Sequence, residues 1–124
     1  MQPRINAKEV VISYLEALND QDFKAARSHL KDDMTFLAPI ASHSSADAYL
    51  EGNELLRSKY GIKKVLYEVK KVFVDGDDVC IFFDFNIESA TLFASGWFHV
   101  ANGKISSISV VFDPRPIVEL SAQK

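Results

Sequence analysis

The sequence is poor in the residues that build covalent or metal-based scaffolds. Its 124 residues include a single cysteine, Cys80, so no internal disulfide can form and no cysteine-based metal site can be assembled. Three histidines, His29, His43 and His99, lack any spacing that suggests a metal site, and no cofactor is expected. Lysine and arginine never cluster beyond a pair and the formal net charge is −3. Nucleic acid is therefore disfavoured as a partner, because such binding draws on a concentrated basic face. No apolar run is long enough to span a bilayer, and the first residues lack a basic segment followed by an apolar one. No membrane association is expected, and a reducing cytoplasm is the expected location. Repeats, low-complexity segments and interior linkers are also missing, so residues 1–124 read as one domain with a core over about 5–113 and a short C-terminal tail.

What is present is apolar and aromatic. Hydrophobic residues make up 48% of the chain and charged ones 25%, with nine Phe, four Tyr and one Trp. Asn6 followed by Glu9 opens a helix in the manner of a capping box. Val10, Val11, Tyr14, Leu15 and Leu18 then recur at helical spacing, which places one phenol within an aliphatic stripe. Asn19-Asp20 stops that helix. Asp22 caps a second, shorter one through about Leu30, with Phe23, Ala26 and Leu30 facing in, and Asp32-Asp33 breaks it. Met34 to Pro39 reads as a strand, and Ile40 to Ser44 as a loop carrying His43. Ser44 or Ser45 caps a third helix over about Ala46 to Tyr60, which Gly61 ends and Gly52 weakens.

From Ile62 the apolar period switches to two. Val65, Tyr67 and Val69 fall on one parity and Val72 and Val74 on the other, which predicts a bulge near Lys70-Lys71. Turns at Asp75-Gly76-Asp77-Asp78 and at Asn102-Gly103 separate strands over Val79 to Glu88, Thr91 to Val100 and Lys104 to Asp113. Pro114 and Pro116 end regular structure. The order helix, helix, strand, helix and four strands in meander is that of an α+β domain, its helices on one face of an antiparallel sheet.

Two segments carry a family resemblance. The run Val10-Val11-x-x-Tyr14-x-x-Ala17-Leu18-Asn19-x-x-Asp22, with Asp32-Asp33-x-Thr35-x-x-x-Pro39, resembles the opening of the bacterial ketosteroid isomerases. Gly96-Trp97-Phe98-x-x-x-Asn102-Gly103-Lys104-Ile105, ending in Phe112-Asp113, is similar to the wider nuclear transport factor 2-like, or SnoaL-like, superfamily. The resemblance covers nearly the whole chain. It implies a cone-shaped, cystatin-like fold: a strongly curved sheet wrapped over the N-terminal helices. It also implies an apolar pocket inside and a homodimer through the sheet's outer face.

On that template Tyr14 matches the tyrosine that donates a hydrogen bond to a substrate carbonyl as it becomes an enolate. Ala38 stands where the isomerases place an Asp base, and Gly96, or Ser95 in a shifted alignment, where they place a protonated Asp. Steroid isomerisation by that mechanism is therefore not expected. If Ala38 and Gly96 face the pocket, parity adds Phe36, Phe83, Phe85, Ala94, Phe98, Val110 and Phe112, with Leu18, Tyr49 and Tyr60 from the helices. Such a cavity suits a small apolar ligand held by one or two hydrogen bonds. His43, near the pocket mouth, and Asp113, ahead of Pro114, are the candidates to move a proton beside Tyr14. Each has a plainer reading: a core tyrosine with a satisfied hydroxyl, a solvated histidine, and a carboxylate paired with Arg115.

Phe82, Phe93, Trp97 and Val111 fall on the opposite parity, with Cys80 and Asp84. So many aromatics facing solvent point to cover by a second subunit. Three functions stay open: a cofactor-independent isomerase, cyclase, dehydratase or hydrolase; a non-catalytic ligand carrier; and a protein-interaction or dimerisation module. A carboxylate or histidine beside a ligand near Tyr14 separates the first from the second, and a cavity filled by its own side chains marks the third.

Overall fold

Asn6 opens the chain's first helix, α1 (Ala7–Asn19), by accepting a hydrogen bond from the Lys8 amide. The computed structural model describes residues 6–88 and 90–122, so the expected core boundary at Ile5 lies outside the described residues. Val10, Val11, Tyr14, Leu15 and Leu18 are all buried, as their helical spacing requires. Asp22 caps α2 (Phe23–Ser28) through the Ala25 amide.

This second helix stops short of Leu30, which instead begins strand β1 (Leu30–Ala38) with Asp32 and Asp33 inside it. The expected break at the two aspartates is thus a strand. Arg27 explains the turn: its guanidinium reaches Asp32 at 2.6 Å and Asp47 at 2.9 Å and donates to the Leu30 carbonyl. The Ile105 amide also donates to the His29 carbonyl, drawing the chain onto the sheet. The expected loop after β1 contains a further strand, β2 (Ala41–His43), paired antiparallel from Ala38↔Ala41 to Phe36↔His43. Pro39 lies at the tip of this hairpin, where a missing N–H costs nothing.

Ser45 caps helix α3 (Ala46–Tyr60), and Gly61 ends it at φ 69°, a left-handed conformation that a side chain would strain. Four strands follow: β3 (Leu66–Asp75), β4 (Asp78–Asn86), β5 (Thr91–Ala101) and β6 (Lys104–Phe112). The β3–β4 register shifts between Val69 and Lys71, where the parity change predicts a bulge. The expected irregular tail is helix α4 (Arg115–Ala122). Pro116 sits in its first turn, where no amide donor is needed, so it starts the helix rather than ending structure.

The sheet runs β2-β1-β6-β5-β4-β3. It is mostly rather than wholly antiparallel: β1 pairs parallel with β6. The long excursion through α3 and β3 to β5 returns the chain beside β1 in the same direction. Register shifts in β1–β6, β3–β4 and β5–β6 curl the sheet around α1 and α3. Along β4 and β5 buried positions alternate strictly with half-buried or exposed ones. Val79, Ile81, Phe83, Phe85, Leu92, Ala94, Phe98 and Val100 are buried, while Phe93 and Trp97 are 61% and 57% exposed on the other side.

Candidate functional site

Between the concave side of the sheet and the helices lies a cavity of about 160 Å³. The strands supply most of its wall: Phe36 and Ala38 from β1, Phe83 and Phe85 from β4, Phe98 from β5, Val110 and Phe112 from β6. Leu18 adds an aliphatic side chain from α1. The remaining pocket residues named from parity are placed elsewhere. Ala94 and Gly96 share the inner parity but do not reach the cavity. A Cβ on Gly96 would stand 2.9 Å from the Phe98 ring and 3.3 Å from the Phe83 ring, so those rings occupy the space above it. Ala94, buried between its partners Phe83 and Phe112, is likewise too short to pass its neighbours. Tyr60 lies at the end of α3, beyond the cavity, with the Lys59 ammonium 5.4 Å from its ring centroid.

Three polar residues of the wall come from one helix. Tyr49, Asn53 and Arg57 line the cavity at four-residue spacing on α3, so they share one face of the helix. Asn53 and Arg57 escape the sequence reading because an amide and a guanidinium on a helix are normally assigned to solvent. Their i, i+4 spacing from Tyr49 is the signal that could have found them. Tyr67 of β3 faces the same space, as do Gln21 and Phe23 at the α1–α2 junction, both exposed and so marking a mouth. Phe23, expected to face the core, is 40% exposed there. Ile117 of α4 completes the wall from the segment expected to be a tail.

Tyr14 does not line the cavity. Its hydroxyl lies 2.6 Å from the Tyr49 hydroxyl, and its ring stands edge-on to Phe98 with centroids 6.4 Å apart. It therefore backs Tyr49 from behind. Burial raises the Tyr14 pKa well above the ordinary phenol value, with Tyr49 adding to the rise. Burial also raises that of Tyr49, against the opposing pull of hydrogen bonds with Tyr14 and Asn53. Both hydroxyls are thus protonated donors at physiological pH.

Of the other two proton-transfer candidates, His43 packs beside Tyr49, with ring centroids 6.3 Å apart, but hydrogen-bonds to neither phenol among the described residues, and Asp113 lies apart. His43 has the inner parity, but its ring stacks on Phe36 with centroids 6.1 Å apart and abuts α3 at Gly52. A Cβ on Gly52 would come within 2.4 Å of that ring, so the glycine, unfavourable in a helix, makes room for the imidazole. Phe36 and Tyr49, the rings that His43 packs against, line the cavity, whereas His43 does not. Asp113 is held at the surface by Arg115, which donates to it from its backbone amide at 3.0 Å and from its side chain. That pairing holds the Asp113 carboxyl below the usual carboxylate range, which weakens it as a base. No carboxylate or imidazole lines the cavity among the described residues. No group of three or more His, Cys, Asp or Glu among them could hold a metal ion.

Residues 11–108 match the model of the SnoaL-like domain. No curated protein sequence matches the chain. Among solved structures, a nuclear transport factor 2-like protein of unknown function from Cytophaga hutchinsonii is 33% identical, with a TM-score of 0.82 over 95% of this chain and 99% of that one. TerC, co-crystallised with polyporic acid, is 16% identical with a TM-score of 0.82 over 94% and 98% of the two chains. An LEH-like epoxide hydrolase from M. tuberculosis is 22% identical with a TM-score of 0.69 over 94% and 90%. The last two share the fold. From the domain match and the first of these relatives, the chain belongs to the SnoaL-like domain family, within the nuclear transport factor 2-like superfamily.

Proposed function

We propose that the cavity binds a small, flat, apolar molecule bearing a carbonyl-type oxygen, which accepts a hydrogen bond from Tyr49. One observation carries the reading: two buried phenols lie 2.6 Å apart and only one of them, Tyr49, borders the cavity. With Tyr14 as the donor to the Tyr49 oxygen, the Tyr49 hydrogen is left to point at the ligand. Each bond in such a chain polarises the next, so Tyr49 becomes a better donor than an isolated phenol. The donor role assigned to Tyr14 on the family template thus passes to Tyr49, with Tyr14 as its positioning residue.

Binding without proton abstraction is favoured over an isomerase or lyase mechanism. The lining offers donors and no base, and Ala38 presents a methyl group where the isomerases carry their Asp. The enzymatic alternative assigns the same phenol pair to stabilising an oxyanion in a cyclase or hydrolase reaction, with the base supplied by the substrate. A relative of this fold co-crystallised with polyporic acid supports occupancy by a small molecule. A carrier needs no second subunit, yet the exposed Phe93 and Trp97 favour a homodimer through the outer sheet face.

Calorimetric titration with the ketone 2-acetylnaphthalene tests the donor. Tyr49→Phe should weaken binding by roughly five- to tenfold, the worth of about one hydrogen bond. Tyr14→Phe should weaken it less and cost ~1 kcal/mol of stability. Unchanged affinity in Tyr49→Phe sinks the assignment.

A further inference from the structure

The polar stripe on α3 does not end at Tyr49. Two turns further on, Arg57 borders the same cavity, and its guanidinium lies over the Phe23 ring, 5.0 Å from the centroid. No carboxylate among the described residues pairs with it. Other arginines at the surface do find partners: Arg27 holds Asp32 and Asp47, and Arg115 holds Asp113. Tyr67 lies on the facing strand. Its backbone is fixed by Asn19, which bonds both its amide and its carbonyl, while its hydroxyl makes no hydrogen bond among the described residues. An unpaired guanidinium and an unpartnered phenol thus border one apolar space, with the Asn53 amide a turn away on α3.

We infer that Arg57 and Tyr67 form an anion subsite, so that the ligand is an apolar molecule carrying an acidic oxygen, a carboxylate or an ionised enol. This rests on the ligand-binding reading of the cavity and adds to it the charge of the ligand. Arginine suits the task because its planar fork meets two oxygens of a carboxylate at once. Stacking on Phe23 fixes the plane of that fork, so little freedom is lost when the acid binds. Arg57 is half-buried, and an apolar ligand seated against the wall beside it would displace water and strengthen the charge interaction. Tyr67 supports the same geometry: burial raises its pKa, which keeps its hydroxyl a donor, while the positive charge of Arg57 pulls the other way. The two ends of the stripe then divide the work. Tyr49 meets a neutral oxygen in the interior, and Arg57 and Tyr67 meet the charged one nearer the mouth.

The test uses 2-naphthoate and its uncharged counterpart of similar shape, 2-acetylnaphthalene, titrated calorimetrically into the wild-type protein, Arg57→Gln and Arg57→Lys. The acid should bind roughly tenfold or more tightly than the ketone in the wild type. Arg57→Gln should abolish that preference, while its circular dichroism and urea-unfolding midpoint, close to those of the wild type, show that the variant is folded. Arg57→Lys should keep part of the preference, since it keeps the charge and loses the fork. Equal binding of acid and ketone to the wild type, or a preference surviving Arg57→Gln, overturns the anion subsite and leaves the ligand-binding reading standing. Binding of neither probe overturns both.

Discussion

The two faces of the curled sheet carry aromatic side chains in similar abundance, yet their environments are opposite. On the concave face Phe83 and Phe98 are buried against each other and against Tyr14 and Tyr67. On the convex face Phe73, Phe82 and Phe93 pack side by side, with Phe82 and Phe93 stacked 6.0 Å apart and the Lys71 ammonium 5.7 Å from the Phe73 ring centroid, and Trp97 and Val111 lie open. Strand parity assigns each residue to its face, and parity is all that β4 and β5 need to build both. The difference teaches that aromatic content alone does not identify a core. The concave set is closed by helices of the same chain, whereas the convex set has no cover from its own chain among the described residues.

The largest effect expected from this contrast is on folding stability. Phe98→Ala empties a site that borders both Tyr14 and the cavity wall, and should cost about 3–5 kcal/mol in urea unfolding. Phe93→Ala, measured at a concentration low enough to leave monomers, should cost under about 1 kcal/mol. Comparable losses would show that the convex face is covered within the monomer and break the comparison.

A smaller but sharper effect concerns the convex face itself. Trp97→Lys places a charge at the centre of the proposed dimer contact, while the new ammonium can still meet Asp78, which now accepts from the indole N–H at 2.9 Å. Sedimentation should report a monomer, with the dissociation constant raised at least tenfold, about 1.4 kcal/mol. A species unchanged by the substitution would remove that face as the interface.

The two faces were also unequally legible. The sheet could be read because alternation over nine- and eleven-residue strands leaves little choice of register. The bulge after Val69 announced itself as a change of parity, and the caps at Asn6, Asp22, Ser45 and Gly61 are local chemistry. Apart from α4, which Pro116 starts, the failures were non-local. Leu30 to Asp33 looked like a helix end because nothing nearby in sequence reveals that Arg27 will bridge Asp32 and Asp47. β2 is three residues long and exists only because β1 lies beside it. The site failed in the same way. Parity assigns strand residues to the inner face, but whether a short side chain reaches the cavity depends on which rings cross it, as at Gly96. Tyr14 was conspicuous as the phenol in an aliphatic stripe. The residue it supports, Tyr49, and the stripe that continues to Arg57 show only when α3 is laid against the sheet.

The smallest expected effect separates the faces by their response to acid. The concave phenols titrate above their ordinary value, so lowering the pH leaves Tyr14, Tyr49 and Tyr67 unchanged. On the convex face, hydrogen bonds with the Trp97 indole and then with His99 hold the Asp78 carboxyl below its ordinary value of 3.8. A depressed folded value means that Asp78 contributes its stability above the unfolded value and loses it as the pH falls through the folded one. Asp78→Asn keeps an oxygen for the indole but cannot titrate. The stability difference between wild type and Asp78→Asn should therefore shrink as the pH falls from about 5 towards about 3. Trp97 fluorescence should change over the same range as its acceptor is protonated. A difference that stays constant from about pH 5 to about pH 3, with no change in fluorescence, would show that the carboxylate charge contributes nothing to the convex face. Its indole would then be held by shape alone, like the rings on the concave side.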